Sequence, residues 1–189
     1  MIRAKTLLLS AAMGALLAAP AFAADVVPLP HFDGVGLRGG GHVTLKYCKE
    51  QRVTLIKGST QFTRLKIEHG GGLSIDACDS NCPEHYDLEI EIVSPDISAI
   101  AVTGGGSIVA QNGFPSRSRL EVAVNGGGAI DARGLAAGAI DAAVNGGGAI
   151  RIASNGEINT AVSGGGEIVY SGKATVTQAV SGGGNVRRE

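Results

Sequence analysis

The chain has 189 residues, 16 Lys and Arg against 17 Asp and Glu, and a formal charge of −1; it has no Trp, four Phe and three Tyr. A near-neutral balance without a basic run excludes nonspecific nucleic-acid binding. So few aromatic faces argue against a platform that stacks bases or sugar rings.

In chain order, Arg3 and Lys5 precede an apolar run from Leu7 to Ala19, which is short for a bilayer span. Ala21-Phe22-Ala23 then supplies a small-x-small cleavage site. Together these predict a secretory signal peptide at residues 1–23, cut between Ala23 and Ala24. No cysteine sits just after the cut, so lipoprotein processing is not expected, and no later apolar stretch is long enough to cross a membrane. The expectation is an exported bacterial protein, periplasmic in a Gram-negative cell or secreted to the cell surface. Its mature part, residues 24–189, is expected to be one domain.

Residues 32–95 hold most of the charge and all three cysteines. Stretches such as His42-Val43-Thr44-Leu45-Lys46 and Asp87-Leu88-Glu89-Ile90-Glu91-Ile92 alternate apolar with polar residues, as half-buried strands do. Cys78 and Cys82 bracket the turn-forming Asp79-Ser80-Asn81, which predicts a local disulfide; Cys48 is the alternative partner. A zinc site would need a fourth ligand, for which only His69 and His85 are at hand. His31, His42, His69 and His85 carry no metal or triad spacing and read as surface residues.

From Ile97 to Val186 the chain repeats itself. Ala-Val, one small polar residue and three glycines recur five times, with first glycines at Gly104, Gly126, Gly146, Gly164 and Gly182. A tight-hairpin meander would reverse the order of neighbours, whereas stacked parallel layers place each residue on its own copy. The columns are homogeneous: Val102, Val124, Val144, Val162 and Val180, then Ile108, Ile130, Ile150, Ile168 and Val186. The fold expected is therefore all-β, a single-stranded parallel β-helix with Gly-Gly-Gly corners and less regular N-terminal coils. Secondary corners are expected at Gly113, Gly134, Asn155-Gly156 and Ser171-Gly172. Alternation points each Val inward and the preceding Ala101, Ala123, Ala143, Ala161 and Ala179 outward, as a flat contact face. One column further, Asp131 and Arg151 are expected as a surface ion pair.

Known chemistries fit this array poorly. Calcium-binding glycine repeats need an Asp in every copy, but the Asp131 column reads Val109, Asp131, Arg151, Val169 and Arg187. Phosphate loops need a helix after the glycines, and these lead into strands. A polysaccharide-active β-helix enzyme is the alternative reading, yet Glu121, Asp131, Asp141, Glu157 and Glu167 show no paired spacing. No catalytic, metal-binding or cofactor-binding residue is therefore assigned.

The glycine corners, Gly-Glu-Ile-Asn at Gly156 to Asn159 and the strand-rich lead-in from Phe32 resemble the head GIN domain family of auto-transporter adhesin heads. The resemblance implies a right-handed β-helix in an exported bacterial protein. Unlike an autotransporter, the chain is not expected to carry a membrane barrel after Arg187-Arg188-Glu189, where the sequence stops. The function expected is a noncatalytic envelope module for binding or assembly, adhesin-head-like. Its partner would be an envelope protein or polysaccharide, or a further copy of itself.

Overall fold

A computed structural model describes residues 24–189; the expected signal peptide lies outside the described residues. Seventeen strands follow one another without a helix among the described residues, and so without one long and apolar enough to cross a membrane. They are β1 (Asp25–Val27), β2 (Gly34–Gly39), β3 (His42–Tyr47), β4 (Arg52–Lys57), β5 (Arg64–Ile67), β6 (Gly72–Asp76), β7 (Glu89–Ser94), β8 (Ala99–Gly104) and β9 (Ser107–Ala110). Then come β10 (Arg117–Gly126), β11 (Ala129–Asp131), β12 (Ala137–Gly146), β13 (Ala149–Ala153), β14 (Glu157–Gly164), β15 (Glu167–Ser171), β16 (Thr175–Ser181) and β17 (Asn185–Arg188).

The strands form two mixed sheets that do not close into a barrel. One has nine strands in the order β1-β4-β7-β3-β9-β11-β13-β15-β17; the other has eight, β16-β14-β12-β10-β8-β2-β6-β5. From β8 onward the chain alternates between sheets, and each strand pairs in parallel with its copy one repeat away. Equivalent residues pair without slippage: Val124 sits opposite Val102 and Val144, and Ile130 opposite Ile108 and Ile150. A one-residue slip would turn every such side chain out into water, so the buried column itself holds the register. Val102, Val124, Val144 and Val162 are all buried, as are Ile108, Ile130, Ile150 and Ile168. At about 4.8 Å per strand, the nine-stranded sheet is roughly 38 Å long.

The three glycines of each corner have three different positions. The first has positive φ, for example 113° at Gly126 and 121° at Gly146. The third is buried beneath the preceding layer: a Cβ on Gly148 would stand 2.4 Å from Val124 Cγ1 and 2.5 Å from the Gly128 carbonyl oxygen. The middle one faces open space. Backbone bonds run between successive corners, from Gly127 N to Gly104 O (3.0 Å) and from Ala149 N to Gly128 O (3.0 Å).

The N-terminal part departs from simple winding. Gly39 pairs with Gly104, so β2 and β3 form a further copy of the repeat and β8 and β9 lie directly on them. The intervening β6 and β7 pair on the opposite side of β2 and β3, so order in the stack differs from order in the chain. Gly70–Gly72 is no corner of the column; it follows Glu68 in the turn that joins antiparallel β5 and β6. Strand β4 runs antiparallel to β7, and β1 antiparallel to β4. These antiparallel strands cover that end of the stack. At the other end Val180 is 45% exposed, although its copies in inner layers are buried, because β16 is an outermost strand.

Candidate functional site

Cys78 and Cys82 form a disulfide with Cα atoms 6.0 Å apart, and Cys48 is a free, exposed thiol. The bridged loop lies where the other layers carry their glycine corner, since Asp76 pairs with Arg38 just before Gly39. Tyr86 fastens this loop to the turn above β5. Its hydroxyl lies 2.7 Å from Thr63 Oγ1 and accepts from Ser59 N at 2.8 Å, and its ring meets Phe62 edge-on.

The expected Asp131–Arg151 pair is not made. The two residues are adjacent in register, but Asp131 bonds to Arg133 two residues along, with Nε to Oδ1 at 2.9 Å and Nη2 to Oδ2 at 2.6 Å. These bonds hold the Asp131 carboxyl below its ordinary range, against an opposing effect of partial burial. A lowered carboxyl value stabilises the folded state at neutral pH, and that contribution is lost as pH falls through the Asp131 titration. Asp131→Asn should therefore flatten the loss of stability below about pH 4, checked by denaturant melts from pH 7 down to pH 2. Val169 of the same column, expected outward, is buried between Arg151 and Arg187.

Asp131 and Asp141 lie in different sheets. Sequence spacing missed two juxtapositions. Glu121 and Asp141 are register neighbours, and Arg119 joins both, at 3.9 Å and 2.5 Å. The signal was present in the aligned Glu121-Val122-Ala123-Val124 and Asp141-Ala142-Ala143-Val144. His42 Nδ1 lies 2.7 Å from Ser107 Oγ, with Thr44 Oγ1 at 3.4 Å from the other ring nitrogen. That contact spans 65 residues and had no sequence signal. His31, His69 and His85 are exposed. No group of three His, Cys, Asp or Glu is placed to hold a metal ion among the described residues.

A groove of about 730 Å³ lies on the outer face of the eight-stranded sheet. Alternation builds it. On β10, Leu120, Val122 and Val124 are buried, while Arg119, Glu121 and Asn125 are exposed and Ala123 half-buried. Register carries this pattern across the sheet, so Gly36, Ala101, Ala123, Ala143, Ala161 and Ala179 form one unbroken column. Methyl groups and one bare Cα form a flat floor. One rail is Glu121, Asp141, Asn159 and Thr177; the other is Thr103, Asn125, Asn145, Ser163 and Ser181. On the Glu–Asp rail Arg119 pairs with Asp141 at 2.5 Å and stands 3.9 Å from Glu121; Asn159 Nδ2 donates to Asp141 Oδ1 at 3.1 Å, while Asp141 Oδ2 accepts no well-aligned hydrogen bond. At the β6 end the column finishes on Ser74, opposite Gly36 and Lys66.

Residues 112–174 match the family model described as putative auto-transporter adhesin, head GIN domain. The resemblance drawn from the glycine corners is thus shown over that stretch. Among solved structures, a putative adhesin from Bacteroides fragilis NCTC 9343 superposes with a TM-score of 0.55 at 17% identity, over 88% of this chain and 96% of that one. A putative lipid binding protein from Parabacteroides distasonis ATCC 8503 gives 0.48 at 16%, and a putative adhesin from the same strain 0.43 at 15%; each likewise covers 88% and 96% of the two chains. At such identities the likeness to the first is one of fold. No curated protein matches the chain.

Proposed function

We propose that this protein is a noncatalytic module of the bacterial cell envelope that holds another envelope component on the outer alanine face of its eight-stranded sheet. In this reading residues 1–23 are a cleaved signal peptide and residues 24–189 one domain, exported to the periplasm or the cell surface. The scaffold is a right-handed parallel β-helix whose corners are Gly104, Gly126, Gly146, Gly164 and Gly182. The alternating sheets and unslipped parallel register support the winding, and the adhesin-head family match over residues 112–174 supports the role.

The observation that carries the reading is the alanine column itself. A solvent-facing strand position has no packing reason to be small in every layer, and long polar side chains are the usual occupants. Here Ala143, Ala161 and Ala179 are exposed and aligned, and the groove follows them. Keeping that surface bare leaves room for something laid against it.

The test is substitution on the floor. Ala143→Lys with Ala161→Lys places two long charged side chains on exposed positions, with little expected change in stability. Retention of the exported protein by washed cell envelopes should fall at least tenfold. Retention equal to wild type, with an unchanged melting temperature, would remove this face from the proposal.

A further inference from the structure

We infer that the groove binds one long-chain fatty acid, its aliphatic chain along the alanine column and its head group at Ser74. This rests on the contact-face reading above and names the chemistry of the occupant. Ser74 carries the argument. The residue is 5% exposed, its Oγ has no hydrogen-bond partner, and it lines the groove. A buried hydroxyl left unpaired destabilises the protein that carries it, so a ligand that supplies the missing bond is favoured there. A carboxylate head accepts from Ser74 Oγ–H. Lys66 lies opposite in register and Arg38 lines the same end. Glu68, also at that end, is taken up by Lys66 at 3.3 Å.

The rest of the groove decides the class. Seven strands separate Ser74 from Ala179 inclusively, so the floor is about 29 Å long at ~4.8 Å per strand, room for a fully extended long acyl chain. The rails are four residues apart along each strand, about 13 Å. The strip is thus roughly 380 Å², under half of the ~800 Å² per partner that a stable protein interface buries. A second copy or a globular partner is poorly served by this strip alone. No aromatic residue lines it, and sugar rings are usually held on aromatic faces. Arg119 balances the charge of Asp141 at 2.5 Å and lies 3.9 Å from Glu121, which leaves little net charge to hold a charged polymer. A narrow, methyl-floored and charge-satisfied strip ending in one unpaired hydroxyl matches an apolar chain with a single polar head.

The experiment is titration calorimetry of the purified exported protein with palmitate, below its micellar concentration. Saturable binding with one chain per protein is expected, weakened at least tenfold by Ala143→Lys. Ser74→Ala should act in opposite directions: the free protein melts at the same temperature or a few degrees higher, while palmitate affinity falls at least fivefold. A merely structural serine would not separate these two readouts. Absence of palmitate binding by the wild-type protein overturns the fatty-acid assignment, and so does binding of envelope oligosaccharides in its place. Binding that neither variant weakens overturns its location. Envelope retention of the Ala143→Lys protein is scored in parallel, so the contact face stands or falls on that separate measurement.

Discussion

Gly148→Ala should destabilise this protein strongly, while Gly147→Ala next to it should leave stability within about 0.5 kcal/mol of wild type. The two positions belong to one corner and differ only in what a methyl group meets. At Gly148 it meets Val124 Cγ1 at 2.4 Å and the Gly128 carbonyl at 2.5 Å; at Gly147 it meets nothing within 4 Å. Backbone does not give way as a side-chain tip does, and the carbonyl of Gly128 is already bonded to Ala149 N. Separating two layers of the stack to admit the methyl breaks that bond and opens the valine column. Overpacking of this kind costs typically 1–3 kcal/mol and more where backbone must move, so a loss of about 3 kcal/mol or more is expected. For a chain of this size that lowers the melting temperature by roughly 6–12 °C. Thermal melts of the two variants side by side decide it. Equal destabilisation by both would mean that the corner works by backbone freedom alone, not by close approach.

Asp96→Ala should cost about 3 kcal/mol, although Asp96 itself is mostly exposed. The cause lies in its partner. The Arg117 side chain is only 9% exposed, its Nη1 lies 2.6 Å from Asp96 Oδ1, and its Nε and Nη2 have no partner. Removing the carboxylate strands a nearly buried cation with no compensating charge. Arg117→Met removes the cation instead, and should be neutral within about 1 kcal/mol or stabilising, since an apolar chain of similar length needs no partner. In that background Asp96→Ala should cost less than about 0.5 kcal/mol. Urea melts of the two single variants and the double variant measure the coupling directly. An Asp96→Ala loss that persists in the Arg117→Met background would place the role of Asp96 elsewhere, for instance in the turn where Ser94 Oγ donates to the Asp96 carbonyl at 2.8 Å.

Legibility followed repetition. Val124, Ile130 and Ala123 were readable because each recurs in register copies, and a column in sequence becomes a column in space when layers stack. Glu121 and Asp141 obey the same rule and were overlooked because their spacing was compared with catalytic pairs, not with the repeat period. His42 and Ser107 were invisible for a different reason. Their contact depends on β3 lying against β9, with β4 to β8 between them in the chain. No local pattern records a pairing of that range, and loop-closure entropy grows too slowly with length to forbid it. Ser74 carries no local signal of its burial, which goes with the antiparallel β5 laid beside β6, a pairing that only the assembled end of the stack displays.

By itself, then, the sequence determined the all-β class, the repeating layer, the inward Val and Ile columns and the outward alanines. All of these depend on strand alternation and on the preference of like residues to stack, which are local rules repeated at a near-constant period. The tertiary structure alone decided the order of the N-terminal strands, the antiparallel cover at one end, the distinct tasks of the three corner glycines and the exchange of Arg151 for Arg133 as the partner of Asp131. These depend on which backbones approach most closely and on which charged side chain reaches a carboxylate first, and those are properties of distances that exist only once the layers are packed.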